Sequence, residues 1–130
     1  SDKIEFGDSD IAISKLEPYL GKVLINDRDG EWIGSPEWLT YKVSANVHYL
    51  DYLRFLLLTP EMLEVYRCLQ SGKRHARLSE ADLLALKIPA KSKPEQRKIA
   101  SNCKKKMDDI LKKRDEINSL RSDIDEIVTN

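Results

Sequence analysis

A chain of 130 residues with 41% hydrophobic content is long enough for one real core and too short for two, so a single domain is expected. Charged residues make up 34%, well above an average globular chain, and they split unevenly. Residues 1–69 carry 7 Lys+Arg against 12 Asp+Glu, a net of −5, whereas residues 70–130 carry 15 against 10, a net of +5, which points to a polyanionic partner or a solvated helix in the second half. No apolar run approaches the ~20 residues of a membrane span, and "SDKIEFGDSD" at the start lacks the apolar region of a signal peptide. Strand-like sequence follows almost at once, which suggests a piece of a longer protein. Cys68 and Cys103 fall in expected helices with no CxxC pair, so free thiols in a reducing cytosol are expected, with no disulfide, metal or cofactor.

The first elements are β. "IAIS" (11–14) and "GKVLIND" (21–27) hold β-formers, separated by "KLEPYLG", where Pro18 and Gly21 break the run. "NDRDGEW" is a turn around Asp29-Gly30. "GSPEW" is a loop, and "WLTYKVS" (38–44) alternates Leu39, Tyr41 and Val43 with polar residues as a half-buried strand.

From Val47 the period becomes helical. Leu50, Leu53 and Leu57 form a stripe that Phe55 and Leu56 widen. A second helix opens with Thr59 as cap, Pro60 in the first turn and Glu61 at the positive dipole end; Met62, Leu63, Tyr66 and Leu69 face inward, and Gly72 is the expected stop. Ser79 caps a short third helix, with Asp82 standing where a capping-box Glu would, and a brief strand over Leu86 to Ile88 follows. The fold class is therefore α+β, strands first and helices after.

From Pro94 onward there is no Gly or Pro, so one helix of ~33 residues and ~50 Å is expected, projected from the domain by the hinge "AKSKP". Taking Cys103 as heptad position a places Ile110, Ile117 and Ile124 at a and Ile99, Leu120 and Ile127 at d, with Lys106 and Lys113 at the remaining d sites. A helix this polar takes its stability from packing, so it needs a partner helix.

"IP", a spacer and "PEQRKI" opening a long amphipathic helix resemble the boundary between target-recognition domain and conserved helix in type I restriction–modification specificity subunits; Ile88, Pro89, Pro94, Glu95, Gln96 and Ile99 match, while "AKSK" replaces the usual prolines and lengthens the joint. "DIAISKLEPYLGKVLI" looks like the family's strand–PxxGK–strand segment, "YLDYLRFLLLTPEMLEVYRCLQSG" like its paired helices, and "RLSEADLLALKIP" like the helix and strand that follow. The resemblance covers roughly residues 10–128 and lacks the front of a recognition domain. It implies a target-recognition-like, N-terminally truncated DNA-binding domain over residues 1–93 and a spacer or dimerisation helix over 94–130. It also implies an antiparallel coiled coil, a non-catalytic role in reading duplex DNA, and docking of a DNA adenine methyltransferase subunit or domain. The parent could be a full-length subunit, a half-length subunit that dimerises, or the tail of a fused methyltransferase.

Candidate DNA contacts lie in loops. In "SGKRHARLS" (71–79), Lys73, Arg74, His75 and Arg77 follow a helix stop, where cations can neutralise phosphates and Arg can pair with guanine; an ordinary solvated basic loop is the plainer alternative. In "KLEPYLGK" (15–22), Lys15 and Lys22 supply charge and Tyr19 can stack, unless Tyr19 and Leu20 are core and the lysines mere surface. Ser35 and Trp38 in "GSPEW" come third, with a core Trp as the alternative. The runs 104–106 and 112–114 can track phosphates or only solubilise the helix, and His48, with no partner at ligand spacing, is structural. No nucleotide-binding, zinc-protease or adenine-methyltransferase motif is present. Asp8, Asp10, Asp27 and Asp29 lack nuclease spacing and read as turn residues. The leading expectation is a DNA-recognition module that homodimerises through its last helix; the competing one is an oligomerisation or scaffold module that touches no DNA.

Overall fold

The computed structural model describes residues 3–26, 32–46 and 48–130. The turn around Asp27, Asp29 and Gly30, and Val47, lie outside the described residues. Among the described residues five strands come first: β1 (Ile4–Glu5), β2 (Ile11–Ser14), β3 (Val23–Ile25), β4 (Ile33–Gly34) and β5 (Trp38–Tyr41). Then come α1 (Leu50–Leu57), α2 (Pro60–Leu69), α3 (Glu80–Leu84) and α4 (Lys93–Thr129). The architecture is mixed helix and sheet, in the expected strand-then-helix order.

Strand β2 lies between β3 and β5 in an antiparallel sheet, with Ile13 opposite Val23 and Leu39. All four of its residues are buried, because both faces are covered. On one face Ile11, Ile13 and Val23 meet Leu57, Tyr66, Leu78 and Leu83 in the main core. On the other, the small β1–β4 ladder brings Phe6 over the sheet, stacked on Trp32 at 6.4 Å and edge-on to Trp38 at 6.1 Å. Trp38 is thus half-buried in this aromatic group. Gly34 leaves room for this packing: a Cβ would lie 3.0 Å from the Trp38 ring, and the ring would have to give by a few tenths of an ångström. Strand β5 ends at Tyr41 because the Asp10 carboxylate, at 2.7 Å, takes the Val43 N–H that a longer ladder would have used. Asp8 pairs with Lys42 at 2.7 Å.

Helix α2 starts as its sequence dictates, with the Thr59 hydroxyl accepting from Met62 N–H. It ends at Leu69, before Gly72, because Gln70 turns extended; Leu69 lies exposed at this end rather than facing inward. Tyr66 is 1% exposed, and its hydroxyl donates to the Leu57 carbonyl at 2.9 Å, so its one polar atom is satisfied. Ser79 caps α3 by accepting from Asp82 N–H. The expected strand at Leu86–Ile88 does not form; Leu86 packs against the core from irregular backbone, so the apolar triplet marks packing and not pairing.

Helix α4 begins at Lys93 under a full capping box: Ser92 Oγ accepts from Glu95 N–H, and the Glu95 carboxylate accepts from Ser92 N–H at 2.9 Å. Its first turns are docked and not swung out by a hinge. Ala100 is fully buried and Gln96 nearly so. The Gln96 amide accepts from Tyr49 N–H, at the start of α1, at 2.7 Å and donates to the Lys91 carbonyl at 2.9 Å. Lys104 closes the contact on Asp51 at 2.6 Å. Every residue from 104 to 130 is exposed, so the remainder of the 37-residue helix, ~56 Å long in all, stands off the domain.

Candidate nucleic-acid interface

Three loops meet at one end of the strands of the β3-β2-β5 sheet, where β2 stops. The first leaves β2 at Ser14, whose hydroxyl both accepts from and donates to Leu16 backbone, and reverses through Glu17, a 3-10 turn (Pro18–Leu20) and Gly21. The second spans 71–77, closed by reciprocal 2.9 Å bonds between the backbones of Ser71 and Arg77. The third, 35–37, precedes β5.

These loops are stitched together by main chain. Glu17 N–H donates to the Ala76 carbonyl at 2.8 Å, Leu78 N–H to the Lys15 carbonyl at 2.8 Å, and Lys15 N–H to the Glu37 carbonyl at 2.9 Å. A side-chain bond joins the second to the third: Arg77 Nη2 lies 2.7 Å from Glu37 Oε1, with Nε at 3.0 and 3.1 Å from the two carboxylate oxygens. The pair holds the Glu37 carboxyl below the usual carboxylate range, chiefly through the hydrogen bonds from Arg77.

The backbone is strained at this junction. Glu17 (φ 47°) and His75 (φ 49°) are the non-glycine residues with left-handed φ among the described residues, and they sit in the two apposed loops. Each such conformation costs about 1–2 kcal/mol, which the surrounding bonds must over-determine.

The side chains at this end fall into two groups. Lys73, Arg74 and His75 are exposed, and among the described residues no hydrogen bond or ion pair fixes them. Ser35 is exposed as well, its hydroxyl accepting from Glu37 N–H. Lys15, Tyr19 and Lys22 are half-buried. The Lys22 ammonium donates to the Leu16 carbonyl at 3.4 Å, and one face of Tyr19 is covered by the Arg67 guanidinium at 4.9 Å from the ring centre. Tyr19 therefore has at most one face to offer a base, and Leu20 beside it is exposed rather than core. His48 lines a cleft with Leu53, Leu57 and Leu83.

The residues that sequence alone did not single out are Glu37, Glu17 and Arg67. Glu37 and Arg77 lie 40 positions apart, and nothing local in either segment signals their pairing.

The seam residues of α4 divide. Ile99 and Cys103 are half-buried beside the docked turns. Ile110, Ile117, Leu120, Ile124 and Ile127 are 47%, 48%, 62%, 59% and 76% exposed, an apolar row on an otherwise charged helix. Of the lysine runs, Lys104 is engaged by Asp51; Lys105, Lys106, Lys112, Lys113 and Arg114 are exposed.

No family model matches this chain, and neither the curated proteins nor the solved structures contain a match. Among the described residues, no helix is long and apolar enough to cross a membrane.

Proposed function

We propose that the chain is a sequence-recognition module for duplex DNA, similar to the later part of a recognition unit and spacer helix of a type I restriction–modification specificity subunit. On this proposal it has no catalysis or cofactor of its own, works in the cytoplasm, and directs a DNA adenine methyltransferase or restriction partner to its target. One observation supports it above the others. Loops separated by about 60 residues in sequence converge at one end, bringing Lys15, Lys22, Lys73, Arg74 and Arg77 to a strained, cross-linked rim. Exposed Lys73 and Arg74 suit phosphates, which carry most of the affinity and none of the sequence information.

The α4 row then pairs with the same helix of a second copy. Antiparallel pairing sets the basic stretch 104–114 beside the acidic stretch 115–126, which carries Asp115, Glu116, Asp123, Asp125 and Glu126. Parallel pairing would stack Lys106 on Lys106 and Lys113 on Lys113 at the seam.

The exposed isoleucine row also favours a second reading, an oligomerisation scaffold without DNA contact. Titration of duplex DNA against salt separates the two. Recognition gives a log–log slope of several units, and Lys73/Arg74/Arg77→Ala lowers affinity about a hundredfold and flattens the slope by about 2. A scaffold gives no salt-dependent binding, and that result ends the DNA proposal.

A further inference from the structure

The cations of the rim are not equivalent. Lys73 and Arg74 hang on a five-residue loop tip with their side chains unheld among the described residues. Arg77 is fixed at every level. Its backbone is hydrogen-bonded in both directions to Ser71, the next residue is tied to Lys15, and its guanidinium is gripped from two sides. Nε and Nη2 donate to the Glu37 carboxylate, and Nη1 donates to the His75 carbonyl at 3.1 Å. That carbonyl is aimed by a residue held in left-handed backbone.

A guanidinium has five N–H groups, and the three bonded nitrogens use one each. One N–H on Nη1 and one on Nη2 remain. Because the carboxylate takes the side formed by Nε and Nη2, the second N–H of Nη2 points to the outer end, where it forms a fork with Nη1 when the His75 carbonyl takes the Nη1 N–H that faces back along the side chain. The Arg77 side chain is 51% exposed while that of Glu37 is 24% exposed, so solvent, and a ligand arriving from it, reaches more of the arginine than of the glutamate.

We infer that Glu37 is a positioning residue that presents the outer fork of Arg77 to the O6 and N7 of a guanine in the major groove, making Arg77 the specificity-determining contact while Lys73 and Arg74 hold phosphate. The inference rests on the DNA-recognition proposal and goes beyond it by assigning the base, the groove and the residue that aims the reader. A bidentate Arg–guanine contact discriminates against the wrong base by roughly 5- to 150-fold. It does so only if the fork arrives already oriented, because planar bidentate geometry is what lysine lacks. The carboxylate also offsets the charge of Arg77, which weakens its attraction to phosphate at arbitrary sequence.

The test uses the full chain and a duplex library randomised over its centre. Wild-type protein is expected to select duplexes with a fixed guanine, and replacing that guanine by 7-deazaguanine, which lacks N7, lowers affinity. In R77K the ratio between the guanine duplex and its adenine counterpart collapses towards one. In E37A the same ratio falls at least fivefold while affinity for unselected duplex rises, because a carboxylate has left the rim. Thermal unfolding of each variant separates loss of aim from loss of fold: a purely structural bridge would lower the midpoint and weaken all duplexes alike. Selection of duplexes with unchanged base preference by R77K and E37A would overturn the inference and leave DNA binding standing. Absence of any salt-dependent binding by wild type would overturn both.

Discussion

The two halves of α4 have the same kind of sequence and opposite circumstances. In residues 93–104, Gln96 and Ala100 are buried, and Tyr49 and Asp51 of the α1 segment hold the helix by a hydrogen bond and an ion pair. In residues 110–127, isoleucines and a leucine at heptad spacing are about half exposed or more. Helices draw most of their stability from packing, so the proximal half belongs to the domain whereas the distal half awaits a surface. Of the two, the half with less apolar surface is the one already buried: a small residue and a well-satisfied amide dock more closely than an isoleucine row would allow.

The comparison is broken most severely by charging the distal row. Ile117→Asp with Ile124→Asp is expected to raise the dissociation constant of the proposed dimer about a thousandfold or more, since each isoleucine buried is worth roughly 1.5–3 kcal/mol. Sedimentation should then show monomers, with the thermal midpoint of the domain unchanged at low concentration. A wild-type chain that stays monomeric at high concentration would leave the row without a second copy.

The matching change in the proximal half acts on stability and not on association. Gln96→Ala leaves the Tyr49 N–H and the Lys91 carbonyl without their partner and is expected to cost about 3 kcal/mol, read as a lower midpoint in denaturant. An unaltered midpoint would mean that α4 is not part of the cooperative unit.

Alkaline pH should separate the two regions without mutation. Burial pushes the Tyr66 hydroxyl up to about 12 from its ordinary value of 10.0. The folded state thus favours the neutral form. Its contribution, about 2–3 kcal/mol, is complete below pH 10 and is lost as pH rises from 10 to 12. The loss of stability in that window should be shallower in Tyr66→Phe without vanishing, because burial and the hydrogen bond to Glu80 also push the Tyr41 hydroxyl up. The smallest expected effect is Ser92→Ala: loss of the cap hydroxyl should cost about 1 kcal/mol and fray the start of α4 in hydrogen exchange.

What the sequence made legible was local. Thr59 and Ser79 cap the helices they precede, because a cap needs only its own next three residues. The β2 run reads as a strand for the same reason. The Ser92-x-x-Glu95 box was equally local, but taking Pro94 as the first helical residue hid it; proline also fits the second position, where its missing N–H costs nothing. What stayed illegible needed the third dimension. Gln96 meets Tyr49 across 47 positions and Glu37 meets Arg77 across 40, and no periodicity links such segments. Leu86 and Leu69 misled in complementary ways: apolar character shows that burial is favourable, not whether the backbone there is strand or whether a helix end reaches the core.

The docking of α4 at its first turns has a consequence for the phase of everything beyond it. With no glycine or proline after Pro94, the helix transmits orientation as well as reach: each residue advances ~1.5 Å and rotates the seam by ~100° about the axis. The azimuth at which Ile117 and Ile124 face outward is thus set where Gln96 and Ala100 lock against α1. Lengthening the helix by one or two residues between the two halves would point the row in another direction at almost unchanged distance. Adding seven would move it ~10 Å and bring it back to nearly the same direction. Variation in the length of this segment should accordingly be tolerated best in steps of about seven residues, less well in steps of about four, which turn the row by ~40°, and worst at lengths that add one, two or five residues.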